Sequence, residues 1–213
     1  GCPLRCAYCH NPDTWDPAGG EEIEAAALAR RLLRYRPYWK ETGGVTVTGG
    51  EPLFQAAFVE ELFSILQAEG VHTALDTSCT GDLEAAERVL AHTNLVLADL
   101  KFLTEEDYRH YCRGSLARVE EFLRLTASLG VPLWIRHVVV PGLTDGEAHI
   151  RALGEKAASY PNLRKIELLP FRKLCLEKYQ AMGIPFPLES VPEMDETRCR
   201  ELAALLPDCG KLL

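Results

Sequence analysis

Along this chain, short apolar or β-branched runs alternate with longer segments whose apolar residues recur at helical spacing. That alternation builds βα units around a parallel sheet. Five runs read as strands: residues 45–48, ending in Val47-Thr48, then His72–Leu75, Leu95–Leu100, Leu133–Val140 and Lys165–Leu169. Helices are predicted over Glu21–Tyr35, from Phe54 through Leu66 with Gly70 as its stop, and over Leu83–Leu90. Further helices are predicted over Glu105–Leu129, broken near Arg113-Gly114, over Glu147–Ser159, and near Glu196–Leu205 after a proline-rich loop. In the first helix, acids in the first turn and arginines in the last match the helix dipole.

The fold expected from this pattern is α/β, a partial, open β/α barrel of about six βα units forming one domain over residues 1–213. Five of those units have a readable strand. The sixth strand is expected ahead of Cys2, because a metal-binding loop needs a strand to position it and the chain opens at Gly1. The N-terminus therefore reads as truncated, with the first strand missing.

In parallel α/β folds, ligands lie beyond the carboxyl ends of the strands. Polar residues stand at those ends throughout: Thr48-Gly49-Gly50-Glu51, Asp76-Thr77, Asp99 with Lys101, Arg136 with His137, and Arg172. Gly49 and Gly50 lack a Cβ, so backbone there can approach a ligand closely. Asp99, inside an apolar strand, needs either an ionic partner such as Lys101 or a bound cation. Asp76 and Thr77 add oxygen donors suited to a hard cation. Arg136 can face a ligand or pair with a carboxylate, whereas His137 alternates to the other face and reads as structural.

Before the first helix, Cys2, Cys6 and Cys9 have CxxxCxxC spacing in a loop stiffened by Pro3 and Pro12. Three thiolates could hold an iron–sulfur cluster with one iron open. With His10 they could instead form a Cys3His zinc site, or they could be packed as reduced thiols. Cys79, Cys112, Cys175, Cys199 and Cys209 have no CxxC pairing and read as reduced thiols of a cytoplasmic protein.

Composition removes other classes. The 213 residues are 47% hydrophobic, enough for a full core, and 23 basic against 31 acidic residues leave a net charge of −8. An acidic protein resists non-specific attachment to nucleic acid or anionic membrane. The basic run Arg30, Arg31, Arg34, Arg36 and Lys40 reads as a solvated helix face. No apolar run approaches the roughly 18 residues of a membrane span.

The segment Cys2-Pro3-Leu4-Arg5-Cys6-Ala7-Tyr8-Cys9-His10-Asn11, taken with Thr48-Gly49-Gly50-Glu51, resembles the radical S-adenosylmethionine (SAM) enzymes. More narrowly, Asp13–Asp16, Asp76-Thr77, Leu97–Lys101, Trp134–Gly142 and Glu167–Phe171 are similar to the pyruvate formate-lyase activating enzymes. The resemblance runs nearly end to end. It implies a [4Fe–4S] cluster held by Cys2, Cys6 and Cys9, whose free iron binds the amino and carboxylate groups of SAM. Reductive cleavage of SAM would yield a 5′-deoxyadenosyl radical that takes hydrogen from a glycine of the partner enzyme.

Carried over residue by residue, the resemblance implies that Tyr8 meets the adenine and that Gly49, Gly50 and Glu51 receive the methionyl amino group. It places Lys101 near the carboxylate, Arg136 on the cosubstrate side, and Asp76, Thr77 and Asp99 around a monovalent cation. Arg172 stands where the family has a histidine, which puts a ribose contact there in doubt. Leu97 replaces a family methionine at the cation site.

The partners implied are a glycyl radical enzyme, pyruvate formate-lyase, as protein substrate, and flavodoxin or ferredoxin as electron donor. The protein is expected to be a cytoplasmic monomer that binds neither nucleic acid nor membrane. The alternatives are an activator of another glycyl radical enzyme, or a non-catalytic iron–sulfur or zinc-binding protein. Many activators of the first kind carry a cysteine-rich insertion that does not fit between Cys9 and Gly49 here.

Overall fold

The computed structural model describes residues 1–207; Cys209 lies outside them. The five strands read from the chain are present: β1 (Gly44–Val47), β2 (His72–Thr77), β3 (Leu95–Asp99), β4 (Leu133–Val139) and β5 (Leu163–Pro170). Among the described residues they form one parallel sheet in the order β1-β2-β3-β4-β5, so each strand lies beside its predecessor in sequence. Parallel neighbours require crossovers, and helices supply them: after α1 (Ala25–Leu33) and α2 (Arg36–Trp39), which precede β1, α3 (Ala56–Ala68) joins β1 to β2, α4 (Leu83–Leu90) joins β2 to β3, α5 (Glu105–Asp107) and α6 (Leu116–Ser128) join β3 to β4 and α7 (Glu147–Ala158) joins β4 to β5, while α8 (Leu176–Ala181) and α9 (Glu196–Ala203) follow β5.

Three helices differ from expectation. The first begins at Ala25, four residues late, because Glu24 is extended and the buried stripe of Ala25 and Ala29 starts only there. The span 105–129 is interrupted by a π-helical turn, Tyr108–Cys112, closed by Arg113 in the left-handed conformation (φ 53°). That turn lets the buried Tyr108 hydroxyl accept a hydrogen bond from the Lys101 backbone N–H at 2.9 Å. Phe54, expected on a helix face, instead sits in a 3-10 turn opened by Pro52 and is 56% exposed.

The two faces of the sheet have different chemistry. On β4, Leu133, Ile135, His137 and Val139 are buried, while Trp134, Arg136 and Val138 between them are half-buried. The buried set belongs to a core that includes Phe63 and Leu66 of α3, Phe122 and Leu123 of α6, and Ile150 and Leu153 of α7. Each such side chain contributes about 1.5–3 kcal/mol by leaving water. The other face carries the polar strand ends, and register aligns them. Asp99 is the lateral partner of Arg136, and Arg136 of Glu167. The basic run on α1 and α2 is solvent-exposed, and no helix among the described residues is long and apolar enough to cross a membrane.

His137 takes the structural place expected of it. Its Nδ1 donates to the Leu100 carbonyl at 2.6 Å, and its Nε2 lies 3.2 Å from that of His149 on α7. Burial, with the neighbouring His149, brings the pKa of His137 down to about 4. The unfolded chain binds a proton near pH 6.5 that the folded chain refuses, so stability is complete above that pH and is lost as pH falls toward 4. Thermal melts between pH 7.5 and 5 should therefore show a loss reaching about 2 kcal/mol at the acid end. Replacing His137 with a non-titrating residue should flatten that part of the profile.

Candidate cofactor site

Three packed segments hold the cysteine loop against the strand ends. On one side the loop is hydrogen-bonded to the π turn: Arg5 N–H donates to the Cys112 carbonyl at 2.8 Å and Ala7 N–H to the Tyr111 carbonyl at 2.7 Å. On a second side, Glu51 N–H donates to the Gly1 carbonyl at 3.0 Å. Close approach there is what requires glycine at position 50, because a Cβ on Gly50 would fall 2.4 Å from the Gly1 carbonyl oxygen. On the third side, the segment after β5 grips residues 10–13. His10 Nε2 contacts the Arg172 carbonyl at 2.8 Å, and Lys178 Nζ donates to Asn11 and Asp13 at 2.8 and 2.9 Å.

Between loop and strand ends lies a cavity of about 290 Å³, near the lower bound of small-molecule sites. Cys2, Cys6, Cys9 and Tyr8 line one wall, and Gly49, Gly50, Asp76, Thr77, Asp99, Lys101 and Arg136 line the others. Nearly all the residues singled out from sequence therefore converge on one place. Two do not.

Glu51 is 2% exposed and turned away from the cavity into a cage of donors. Its Oε1 accepts from Thr77 Oγ1 at 2.7 Å and Leu53 N–H at 3.0 Å, and its Oε2 from Ser78 N–H at 2.8 Å and Ser78 Oγ at 2.5 Å. Burial pushes the Glu51 carboxyl up, against the pull of these four bonds. The side chain thus ties the Gly-Gly turn to the end of β2. Arg172 is held away as well, bonded to the Met194 carbonyl at 2.9 Å and to Glu196 at 2.5 Å. Ser78, Tyr108 and Cys112 complete the site without having been singled out as functional. Only Ser78 carried a signal, following Asp76-Thr77 at a strand end.

Charge across the cavity is balanced by a network. The Arg136 guanidinium bridges Asp76 and Asp99, with Nη2 3.0 Å and Nε 3.2 Å from Asp99 Oδ1, and Lys101 Nζ lies 2.9 Å from Asp99 Oδ2. Thr48 Oγ1 donates to Asp76 at 3.0 Å. Burial would raise the Asp99 carboxyl, but Lys101 and Arg136 outweigh it and hold Asp99 below the usual range. Burial and the Asp99 charge push Asp76 up, although Arg136 opposes them. Burial likewise opposes the Lys101 charge, yet Asp99, Cys6 and Tyr8 keep it firmly protonated. The space between the aspartates, where a monovalent cation was expected, is bridged by Arg136.

The three thiols are not equivalent. A hydrogen bond with Cys112, acting against burial, brings Cys6 down to about 7, whereas burial pushes Cys9 up to about 11 and also raises Cys2. Among the described residues, no three side chains of His, Cys, Asp or Glu converge on a point that could hold a single metal ion. A mononuclear zinc site needs that convergence, with zinc–sulfur distances of about 2.3 Å. In a four-iron cluster each cysteine binds its own iron. His10, the fourth ligand of the zinc reading, is exposed and engaged with Arg172.

The surroundings suit a group rich in acceptors. Among the described residues four buried side-chain polar atoms lack a partner, and three are the donors Tyr8 hydroxyl, Trp15 Nε1 and Tyr179 hydroxyl around the cysteine loop. Trp15 stacks against Arg5 at 4.9 Å and meets the Tyr179 ring edge-on at 6.1 Å. Native interiors rarely leave such donors unpaired. A sulfide- and thiolate-bearing cluster with a polar cosubstrate supplies acceptors of the kind they lack.

Residues 1–153 match the Radical SAM superfamily model. The chain is 39% identical over 209 residues to the pyruvate formate-lyase-activating enzyme of Clostridium pasteurianum, covering 98% of this chain and 87% of that protein. It is also 39% identical over 222 residues to the enzyme of the same name from Staphylococcus epidermidis, covering 100% and 88%. Among solved structures, it resembles a radical SAM methyltransferase from Sphaerobacter thermophilus with TM-score 0.71 at 15% identity, over 99% of this chain and 61% of the other. A domain of the pyruvate-formate lyase-activating enzyme from Bacteroides vulgatus aligns with TM-score 0.63 at 24% identity, over 78% and 94%.

Proposed function

The chain belongs to the radical SAM superfamily, and within it to the family of pyruvate formate-lyase-activating enzymes; on that premise we propose that it installs a glycyl radical on pyruvate formate-lyase. The observation that carries the reading is the convergence of Cys2, Cys6 and Cys9 with Gly49, Gly50, Asp99, Lys101 and Arg136 on one cavity. When bound, a [4Fe–4S] cluster and SAM supply low-potential electron transfer and a radical able to take a hydrogen atom from a glycine Cα. Cys2, Cys6 and Cys9 would hold the cluster.

The chain's own residues position and shield. Gly49 and Gly50 expose backbone groups at the cavity wall, and the buried Glu51 fixes that turn to β2. Lys101 offers a fixed cation for a carboxylate, a charge-assisted contact stronger than a neutral one. Tyr8 presents its ring and a free hydroxyl beside Lys101, whose Nζ is 5.9 Å from the ring centroid. Arg136 holds Asp76 and Asp99 in register, so a monovalent cation bound there would share these carboxylates with the guanidinium.

The protein substrate is a glycyl radical enzyme, and the electron donor a flavodoxin or ferredoxin. The single domain works as a monomer in the cytoplasm. Anaerobic incubation of the reconstituted chain with SAM, a reductant and pyruvate formate-lyase should produce the doublet of a glycyl radical in the electron paramagnetic resonance spectrum. SAM cleavage without that doublet would redirect the search to another glycyl radical enzyme. A cluster-loaded, reduced protein that leaves SAM intact would refute the activity.

A further inference from the structure

Tyr179, on α8, lies outside the span matched by the family model and has no part in the reading above. It is 2% exposed, yet its hydroxyl has no hydrogen-bond partner. A buried hydroxyl without an acceptor is a net loss to the fold. The apolar neighbours of the ring offer no strong acceptor: Trp15 lies edge-on at 6.1 Å and Phe186 at 5.0 Å.

The position of α8 is firmly set. Lys178, the preceding residue, is bonded to both Asn11 and Asp13, just beyond Cys9. Burial raises the Tyr179 phenol, and the cysteine thiolates, Cys9 first among them, push it in the same direction. The contacts of Lys178 with Asn11 and Asp13 and of the Tyr179 ring with Trp15 therefore pack this residue beside the segment just beyond Cys9, with its hydroxyl donor unused.

Building on the cluster assigned to this loop, we propose that Tyr179 is a positioning residue that donates a hydrogen bond to the sulfur shell of the bound cluster on its Cys9 side. Hydrogen bonds to cluster sulfur stabilise the more negative, reduced state and raise the potential. Tyr179 thereby eases reduction of the cluster by the electron donor. The chemistry required of its partner is a charged sulfur acceptor.

The test compares Tyr179→Phe with the parent chain, using Tyr160→Phe as a control at a buried tyrosine just ahead of β5, at the end of the sheet opposite the cavity. With iron and sulfide content equal, Tyr179→Phe should show a more negative midpoint potential. The expected reduced-to-oxidised ratio at fixed poise is about tenfold lower, equivalent to about 59 mV for one electron. Pulsed electron–nuclear spectra of the reduced parent should contain an exchangeable proton coupling that is missing in Tyr179→Phe and present in Tyr160→Phe. In the cluster-free protein, removing an unpartnered hydroxyl should leave the melting temperature unchanged or raise it.

A normal cluster whose potential and proton couplings are unaltered in Tyr179→Phe overturns the inference alone. So does a clear loss of stability in cluster-free Tyr179→Phe, which would reveal a protein acceptor. A parent chain that takes up no cluster overturns the proposed function, and this inference with it.

Discussion

Glu51→Ala should destabilise the protein by about 3–5 kcal/mol, more than most single substitutions, and should abolish cosubstrate binding even though Glu51 lies outside the cavity. The carboxylate accepts four hydrogen bonds in a site closed to water, from Thr77 Oγ1, Leu53 N–H, Ser78 N–H and Ser78 Oγ. After truncation the two hydroxyls can rotate toward other acceptors, but the two backbone N–H groups cannot. Each orphaned buried donor costs about 1–3 kcal/mol, and the lost side-chain volume adds to that. For a chain of this length the melting temperature should fall by about 10 °C.

Loss of binding follows from the same bonds. They connect the Gly49-Gly50 turn to the end of β2, and Glu51 N–H also fixes Gly1 beside Cys2. Glu51→Gln separates the two effects. The amide preserves volume but presents an NH2 to donors that need an acceptor, so it should recover only part of the stability. Melting curves and SAM binding by calorimetry check both variants. Wild-type affinity in Glu51→Ala would show that the turn holds its shape without the carboxylate.

The role of Glu51 shows where reading the sequence stops. A carboxylate after Gly-Gly at a strand end marks a site, but where it points is decided by Thr77 and Ser78, which are 26 and 27 residues away. The strands themselves were legible because β-branched runs such as Val45–Val47 and Leu133–Val140 leave little alternative to a buried parallel sheet. Asp76, Asp99, Lys101 and Arg136 were legible because parallel topology gathers strand ends. Position alone thus located them, without any knowledge of contacts.

Arg172 and Tyr179 belong to the irregular segment after β5, where no periodicity determines side-chain direction. One turned out to be bonded to Glu196 and the other packed edge-on against Trp15 with its hydroxyl unpartnered. The π turn was foreshadowed by Gly114, but its purpose was not, since it appears only in the bonds from Arg5 and Ala7. Long-range pairing of loops is the part that sequence pattern does not encode.

Arg136→Met should cost about 3–5 kcal/mol at neutral pH, the usual penalty for removing one member of a buried ionic group. The guanidinium bridges Asp76 and Asp99, and without it two carboxylates face one cavity with only Lys101 between them and repulsion. Asp99 keeps Lys101 and stays ionised, so Asp76 must adjust. Burial and the Asp99 charge already push Asp76 up against the opposition of Arg136, and removing that opposition raises it further.

The sign of the pH dependence follows. A carboxyl whose folded pKa lies above its unfolded value binds an extra proton when folded, so its relative stability is greatest at low pH and is lost as pH rises through the folded pKa. Arg136→Met should therefore differ least from the parent at acidic pH and most above neutrality. Adding Asp76→Asn removes the unpaired charge and should recover most of the loss at neutral pH while leaving the acid end unchanged. Denaturant titrations of the parent, the single variant and the double variant across pH 5–8 decide the matter. A penalty that is flat with pH, or one that Asp76→Asn does not relieve, would mean that Arg136 stabilises by packing and not by holding the two aspartates together.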